Sequence, residues 1–214
     1  MSRDAILAKI DRANAARAVP DIRAAAEALI ADPDRYRATF APEPVFDRFV
    51  AKATSETVTA TVETLPSLAA LPAAVAAYIA SKGLEPQIAL QPCDSLTALE
   101  WQGIQTTPTA QMNEPLAVTF ADAGIAETGS LVFFTAADAP VLLNFLPLHH
   151  LALVRRSSIR PHMEDIFDAF GTDASSQKRS LNIITGTSGT ADIEAKNVRG
   201  AHGPRFMHIL VIED

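Results

Sequence analysis

A single cysteine, Cys93, stands in this chain of 214 residues, and that scarcity closes several routes at once. One thiol cannot form a disulfide within the chain, supply a cysteine-rich zinc site or ligate an iron–sulfur cluster. Cys93 itself reads as a small core residue rather than a nucleophile. Positive charge is also in short supply: 18 Lys and Arg face 25 Asp and Glu, for a net charge of −7. Nucleic-acid binding needs a basic surface and an anionic membrane needs a polybasic anchor, so neither is an expected partner. No apolar run approaches the roughly 20 residues of a spanning helix. Residues 1–4 lead into an amphipathic pattern rather than the apolar core of a signal peptide. The expected location is cytoplasmic. Histidine is sparse too. His149 and His150 adjoin, but neighbouring strand side chains point to opposite faces, and no histidine pair has helical i, i+4 spacing. No metal site is expected.

What the chain does have is apolar content, 48%, enough for a sizeable core. Residues 1–43 read as a helical arm and linker. Ile6, Leu7 and Ile10 form one thin stripe and Ile22, Ala26, Leu29 and Ile30 another, with Pro20 between them. Helices that bury so little gain stability from a neighbour, which makes this arm a candidate surface for packing on the main domain or for homo-oligomer contacts. The α/β domain spans 44–214. Its pattern gives a helix near 45–50, a strand at 57–62, a helix at 67–81 closed by Gly83 and a strand at 86–90. Leu96, Leu99 and Trp101 follow as core residues. Strands at 116–120, 130–134 and 149–154 come next, then a helix at 162–170 with Met163, Ile166, Phe167 and Phe170 inward. About seven strands alternating with helices predict an α/β three-layer sandwich with a mostly parallel sheet. A loop at 121–129 could join antiparallel neighbours, which would make the sheet mixed.

The last third carries the most information. A short apolar strand at 181–184 meets Gly186, then the polar loop Thr187-Ser188-Gly189-Thr190. A short helix is expected next, with Ser188 or Thr190 as N-cap and Asp192 and Glu194 in an acidic first turn. Gly200 ends it, residues 202–205 turn, and 207–212 form a second buried strand. The loop's backbone N–H groups could hold a phosphate or carboxylate, or the loop is simply a well-capped turn. Its spacing is neither the dinucleotide G-x-G-x-x-G nor the P-loop, so no NAD or ATP site is expected.

The runs ITGTSGTADIE and HGPRFMHILVIED, together with GIAETGSLVF at 124–133, resemble the lactate-utilisation protein C family (LutC/YkgG), whose module is the LUD domain. The resemblance implies a fold shared with ribose-5-phosphate isomerase, glucosamine-6-phosphate deaminase and the CoA-transferases. It also implies a part in oxidising L-lactate to pyruvate beside iron–sulfur partner proteins. This chain has no cluster ligands and no cofactor motif, so its implied job is to bind substrate or partner. In CoA-transferases a loop glutamate is the nucleophile, which makes Glu127 the catalytic candidate. Thr128, Gly129, Ser130, Gly186, Thr187, Ser188, Thr190, Asp192, His202 and Arg205 are the ligand-binding candidates. The family usually has proline second and a basic residue fourth in the 186–190 loop, where this chain has Thr187 and Gly189. A stand-alone enzyme of the CoA-transferase or sugar-phosphate isomerase type and a purely structural subunit remain alternatives. Three segments, 127–130, 186–190 and 202–205, are expected to line one cleft. The first two leave the carboxyl ends of strands. The third joins them if the last strand folds back antiparallel, whereas a parallel last strand would put it at the opposite edge of the sheet. Arg205 is the expected cation for a small carboxylate.

Overall fold

The structure, a computed structural model, describes residues 2–15, 21–171, 178–190 and 198–213. The chain divides into two compact units, Met1–Pro42 and Glu43–Asp214. The first carries helices α1 (Arg3–Ala15) and α2 (Ile22–Ala31). Asp21 caps α2, its carboxylate accepting from the backbone N–H groups of Arg23 and Ala24 at 3.1 and 3.2 Å. That satisfies two donors that the first turn of a helix leaves free. No residue of α2 is buried.

The second unit opens with α3 (Val45–Ala53), β1 (Thr61–Leu65), α4 (Leu71–Lys82) and β2 (Gln87–Leu90), followed by α5 (Asp94–Thr97), β3 (Gln105–Thr107) and β4 (Leu116–Phe120). A hairpin of β5 (Ala123–Ile125) and β6 (Ser130–Phe134) precedes β7 (His149–Arg155), β8 (Ile159–Arg160), α6 (Glu164–Phe170) and β9 (Leu181–Ile184). The short strands β10 (Gly189–Thr190) and β11 (Val198–Arg199) lead to β12 (Phe206–Ile212). Six strands form one parallel sheet in the order β1-β12-β7-β4-β2-β3. A second sheet, β8-β5-β6-β9, is antiparallel except where β8 joins β5. The α/β class with a mostly parallel central sheet is what the patterning predicts.

Sequence dictates which strands take the centre. β7 and β12 are near-continuous apolar runs, as strands buried on both faces must be. On one face Leu151, Leu153, Leu210 and Ile212 pack against Leu71, Val75 and Ile79 of α4. On the other, Ala152, Val154, Ile209 and Val211 meet Phe49 of α3 and Leu131 and Phe133 of β6. Each such Leu, Ile or Phe contributes about 1.5–3 kcal/mol on burial. The layer opposite α4 is therefore largely a second sheet, itself covered by Ile166 of α6.

Several elements depart from the sequence expectation. The first strand begins at Thr61 rather than Thr57, because residues 55–59 close a turn in which the N–H groups of Val58 and Thr59 both reach the Ser55 carbonyl. The 121–129 loop contains β5, too short for its alternation to register. Phe167 and Phe170 are 43% and 38% exposed, and Ile166 is the buried residue of α6. Leu181–Ile184 lies in the second sheet, away from the parallel sheet that holds β12. After Ser188, β10 and β11 pair antiparallel, so Thr190 is in extended backbone. The rest of the expected helix, with Asp192 and Glu194, lies outside the described residues. Among the described residues no helix is long and apolar enough to cross a membrane.

Candidate functional site

Helix α4 follows β1 and leads into β2, which is parallel to it in the same sheet, so the helix must run back along the sheet. Its last turn therefore lies at the amino ends of the parallel strands. A cavity of about 650 Å³ opens there. Thr61 at the start of β1 and Phe206 and Met207 at the start of β12 line it, with Tyr78 and Lys82 from α4, Val198 and Arg199 of β11, and Thr59, Thr187 and Arg205 from the surrounding loops. A smaller depression of about 370 Å³ shares Thr59, Thr187 and Arg199 and adds Glu56.

Loop chemistry builds the rim. Gly186 has φ +68°, and a Cβ there would lie 1.8 Å from the Val58 carbonyl oxygen, so only glycine lets the two loops meet. The contact then closes with Thr187 N–H donating to the Val58 carbonyl at 3.2 Å and the hydroxyls of Thr59 and Thr187 at 2.6 Å. Thr59 has φ 63°, a strained conformation for a β-branched residue. Ser188 N–H donates to the Pro204 carbonyl, and Gly200 N–H donates to that of Ser188, both at 2.9 Å. Those bonds bring the 186–190 loop and the 202–205 turn together and set Arg199 and Arg205 on the same wall.

Three cations, Lys82, Arg199 and Arg205, line this cavity, and among the described residues no carboxylate does. Elsewhere four arginines sit in ion pairs: Arg23 with Glu27, Arg37 with Asp34, Arg48 with Glu43 and Arg156 with Glu213. Among the described residues none of the three cavity cations has such a partner. Behind them lies an aromatic and imidazole cluster. The Tyr78 hydroxyl is 3.0 Å from His149 Nδ1, and the Tyr78 ring stacks on His208 with centroids 5.1 Å apart. His149 in turn stacks on Phe206 at 4.5 Å. His208 Nε2 donates to Glu63 at 3.2 Å, and its Nδ1 meets the Thr61 hydroxyl at 2.7 Å. A carboxylate only accepts, so this pair of contacts selects the Nε2–H tautomer. Burial pushes the His149 and His208 pKa values down, with Lys82 adding to the effect at both and Glu63 opposing it at His208. Burial pushes the Tyr78 phenol up. The neutral forms of all three are favoured, and the site's charge comes from its cations.

The structure divides the sequence-based candidates. Thr187 and Arg205 line the cavity, and Gly186, Ser188 and Thr190 form the loop and short strand beside it. His202 lines a separate depression with Met112, Phe145 and Leu148. Glu127 occupies the β5–β6 turn, where Oε1 accepts from the Met163 N–H at 2.8 Å and Oε2 sits 3.1 Å from His162 Nδ1. Thr128, Ser130 and Thr185 form a chain of hydroxyls at 2.7 and 2.6 Å. Gly129, at φ +69°, packs on the backbone of Lys52 and Ala53. Asp192 lies outside the described residues. The cavity sits at the amino ends of the parallel strands, whereas the expected cleft was at carboxyl ends. The expectation rested on β5 and β9, which belong to the other sheet.

A profile of the LUD domain matches residues 49–212. The chain belongs to the LUD domain family. The Escherichia coli K12 protein YkgG is 33% identical over 127 residues, 58% of this chain and 54% of that protein. The lactate utilization protein C of Bacillus subtilis strain 168 is 29% identical over 128 residues, 58% of this chain and 53% of its own. The chain thus spans about half the length of the curated relatives it matches. In fold, this LUD chain resembles a DUF162 family protein from Deinococcus radiodurans, with a TM-score of 0.60 at 18% identity, covering 78% of this chain and 96% of that one.

Sequence reasoning missed Thr59, Thr61, Tyr78, Lys82 and Arg199. One signal was present: Tyr78 and Lys82 are spaced i, i+4 and so share a helix face.

Proposed function

We propose that this LUD domain protein binds a small carboxylate, such as L-lactate or pyruvate, as a subunit of a lactate-utilisation system. The observation that carries this reading is the meeting of Lys82, Arg199 and Arg205 on one cavity with no carboxylate partner among the described residues. Three cations held together repel one another, and an anion relieves that repulsion while forming charge-assisted hydrogen bonds. An arginine fork matches a carboxylate in two-point geometry. The names of relatives called lactate utilization protein C support the choice of acid. In this reading oxidation itself falls to iron–sulfur partner proteins, and this chain presents or senses the acid.

A stand-alone enzyme using Glu127 as nucleophile is less well supported. Both Glu127 oxygens already have partners, and attack on an acyl group would first require breaking those contacts. Calorimetric titration of the purified protein with L-lactate and with pyruvate tests the binding step. Saturable binding that Arg205→Ala weakens at least about tenfold is the expected result. Lactate oxidation by the reconstituted system should then need this subunit and fall with the same substitution. An Arg205→Ala protein with full lactate-dependent turnover would refute the assignment.

A further inference from the structure

The cavity is ill-matched to lactate in two respects, and both point the same way. A volume of about 650 Å³ lies in the middle of the range that holds drug-sized ligands, about 300–1,000 Å³, so a three-carbon acid fills a small part of it. The charge count disagrees as well. A monocarboxylate neutralises one of Lys82, Arg199 and Arg205 and leaves the repulsion among the others. The remaining wall is not polar throughout. Phe206 and Val198 line it while 40% and 52% exposed, and Tyr78 and Met207 add apolar surface. Phe206 opens an otherwise buried strand, and its ring is held flat against His149, which gives it a fixed orientation. Pockets of this make-up, with apolar walls and a few placed charged groups, fix an organic body by contact and orient it by its charges.

We propose that the ligand of this cavity is an organic polyanion, carrying two or more negative charges on a body with an apolar portion. The inference rests on the anion-binding reading and extends it, since lactate becomes at most a fragment of what the site accommodates. The charged end is held by Arg205, Arg199 and Lys82, and the apolar portion lies against Phe206 and Val198. Glu56, on the wall of the adjoining depression, marks the side on which further negative charge is unfavourable. Phosphate and polycarboxylate groups share this chemistry, and the probes below separate them.

The test is calorimetric titration of the full chain at one fixed, low salt concentration with four probes: L-lactate, inorganic phosphate, citrate and ADP. The expected result is that citrate or ADP binds at least about tenfold tighter than lactate. ADP in the lead identifies a phosphorylated ligand, and citrate in the lead a polycarboxylate. Lys82→Gln, Arg199→Gln and Arg205→Gln should each weaken the leading probe by about tenfold or more. Phe206→Ala should weaken ADP more than inorganic phosphate. Thermal melts of each variant report folding, and the four-probe ranking on the unaltered chain decides the question without them. Lactate binding as tightly as both polyanions would overturn this inference and leave the carboxylate reading intact. A polyanion that binds equally well to all three charge variants sits elsewhere and also overturns it. No binding by any probe sinks both readings.

Discussion

The β5–β6 turn and the cavity beside β12 are both polar and both built from loops, yet they treat their charged groups in opposite ways. At the turn, Glu127 spends each carboxylate oxygen on a neighbour, and Thr128, Ser130 and Thr185 spend their hydroxyls on one another. Around the cavity the hydroxyls of Thr59, Thr61 and Thr187 are also engaged, but the cations have no carboxylate partner among the described residues: Lys82 and Arg205 lie over the rings of Tyr78 and Phe206 instead. A polar group satisfied inside the protein holds the fold. A charge that faces a cavity without a counter-charge among the described residues is, in the proposed reading, held for a ligand. In the proposed reading the turn serves the structure and the cavity serves binding.

Four perturbations sharpen or break it. The largest expected effect is at the joint between the cavity's loops. Gly186→Ala places a Cβ against the Val58 carbonyl at a φ that alanine resists, and a loss of about 3 kcal/mol or more in urea denaturation is expected. A stable Gly186→Ala protein would mean the loops are not locked together.

Acid comes next. His150 is fully buried, with Nε2 2.7 Å from the Thr119 hydroxyl, and burial lowers its pKa from 6.5 to about 4. Its contribution is intact above the unfolded value, near pH 6.5. As pH falls toward 4 the unfolded chain takes up the proton that the folded chain refuses, and stability falls by about 3 kcal/mol in total. His149 and His208 shift in the same direction. Melting temperature against pH should fall less steeply between 6.5 and 4 for His150→Gln than for the unaltered chain. Identical slopes would remove His150 from the account.

Third, Glu127→Ala removes the acceptor of the Met163 N–H and one contact of His162, at a cost of about 1–3 kcal/mol. Anion affinity should not change, and a large loss of affinity would return Glu127 to the ligand site. Smallest in stability is Arg205→Ala, expected within about 0.5 kcal/mol despite its loss of binding. A steep drop in stability there would show that Arg205 is a structural group after all.

The parts of this molecule written in single segments were legible from sequence. β7 and β12 announce themselves as runs of Leu, Ile and Val, and Gly83 closes α4 with the positive φ expected of a helix end. The parts written across segments were not. Thr61 and His208 meet only because β1 and β12 pair in register, and nothing local to either residue encodes that pairing. Thr59 looks like one more β-branched strand residue until its φ is known. Arg205 was recognisable as a cation beside glycines, but Lys82 sits more than a hundred residues away on a helix whose apolar positions dominate its pattern. The rule placing ligands at carboxyl ends of strands could not be carried over directly for a related reason. It applies within one parallel sheet, and the candidate loops followed strands of the other.

The position of β12 between β1 and β7 has a consequence for how the chain is made. Every other strand of the parallel sheet precedes it in sequence, so until residues 206–212 leave the ribosome the sheet is split. During that interval β1 and β7 present unpaired edges, each a template for wrong pairing. The missing pairings join residues far apart in the chain, which places this fold among slow, topology-limited folders. Arg205 is delivered by the same segment. The cavity is therefore assembled in the step that closes the sheet, and a chain caught before that step carries neither a finished core nor the proposed site.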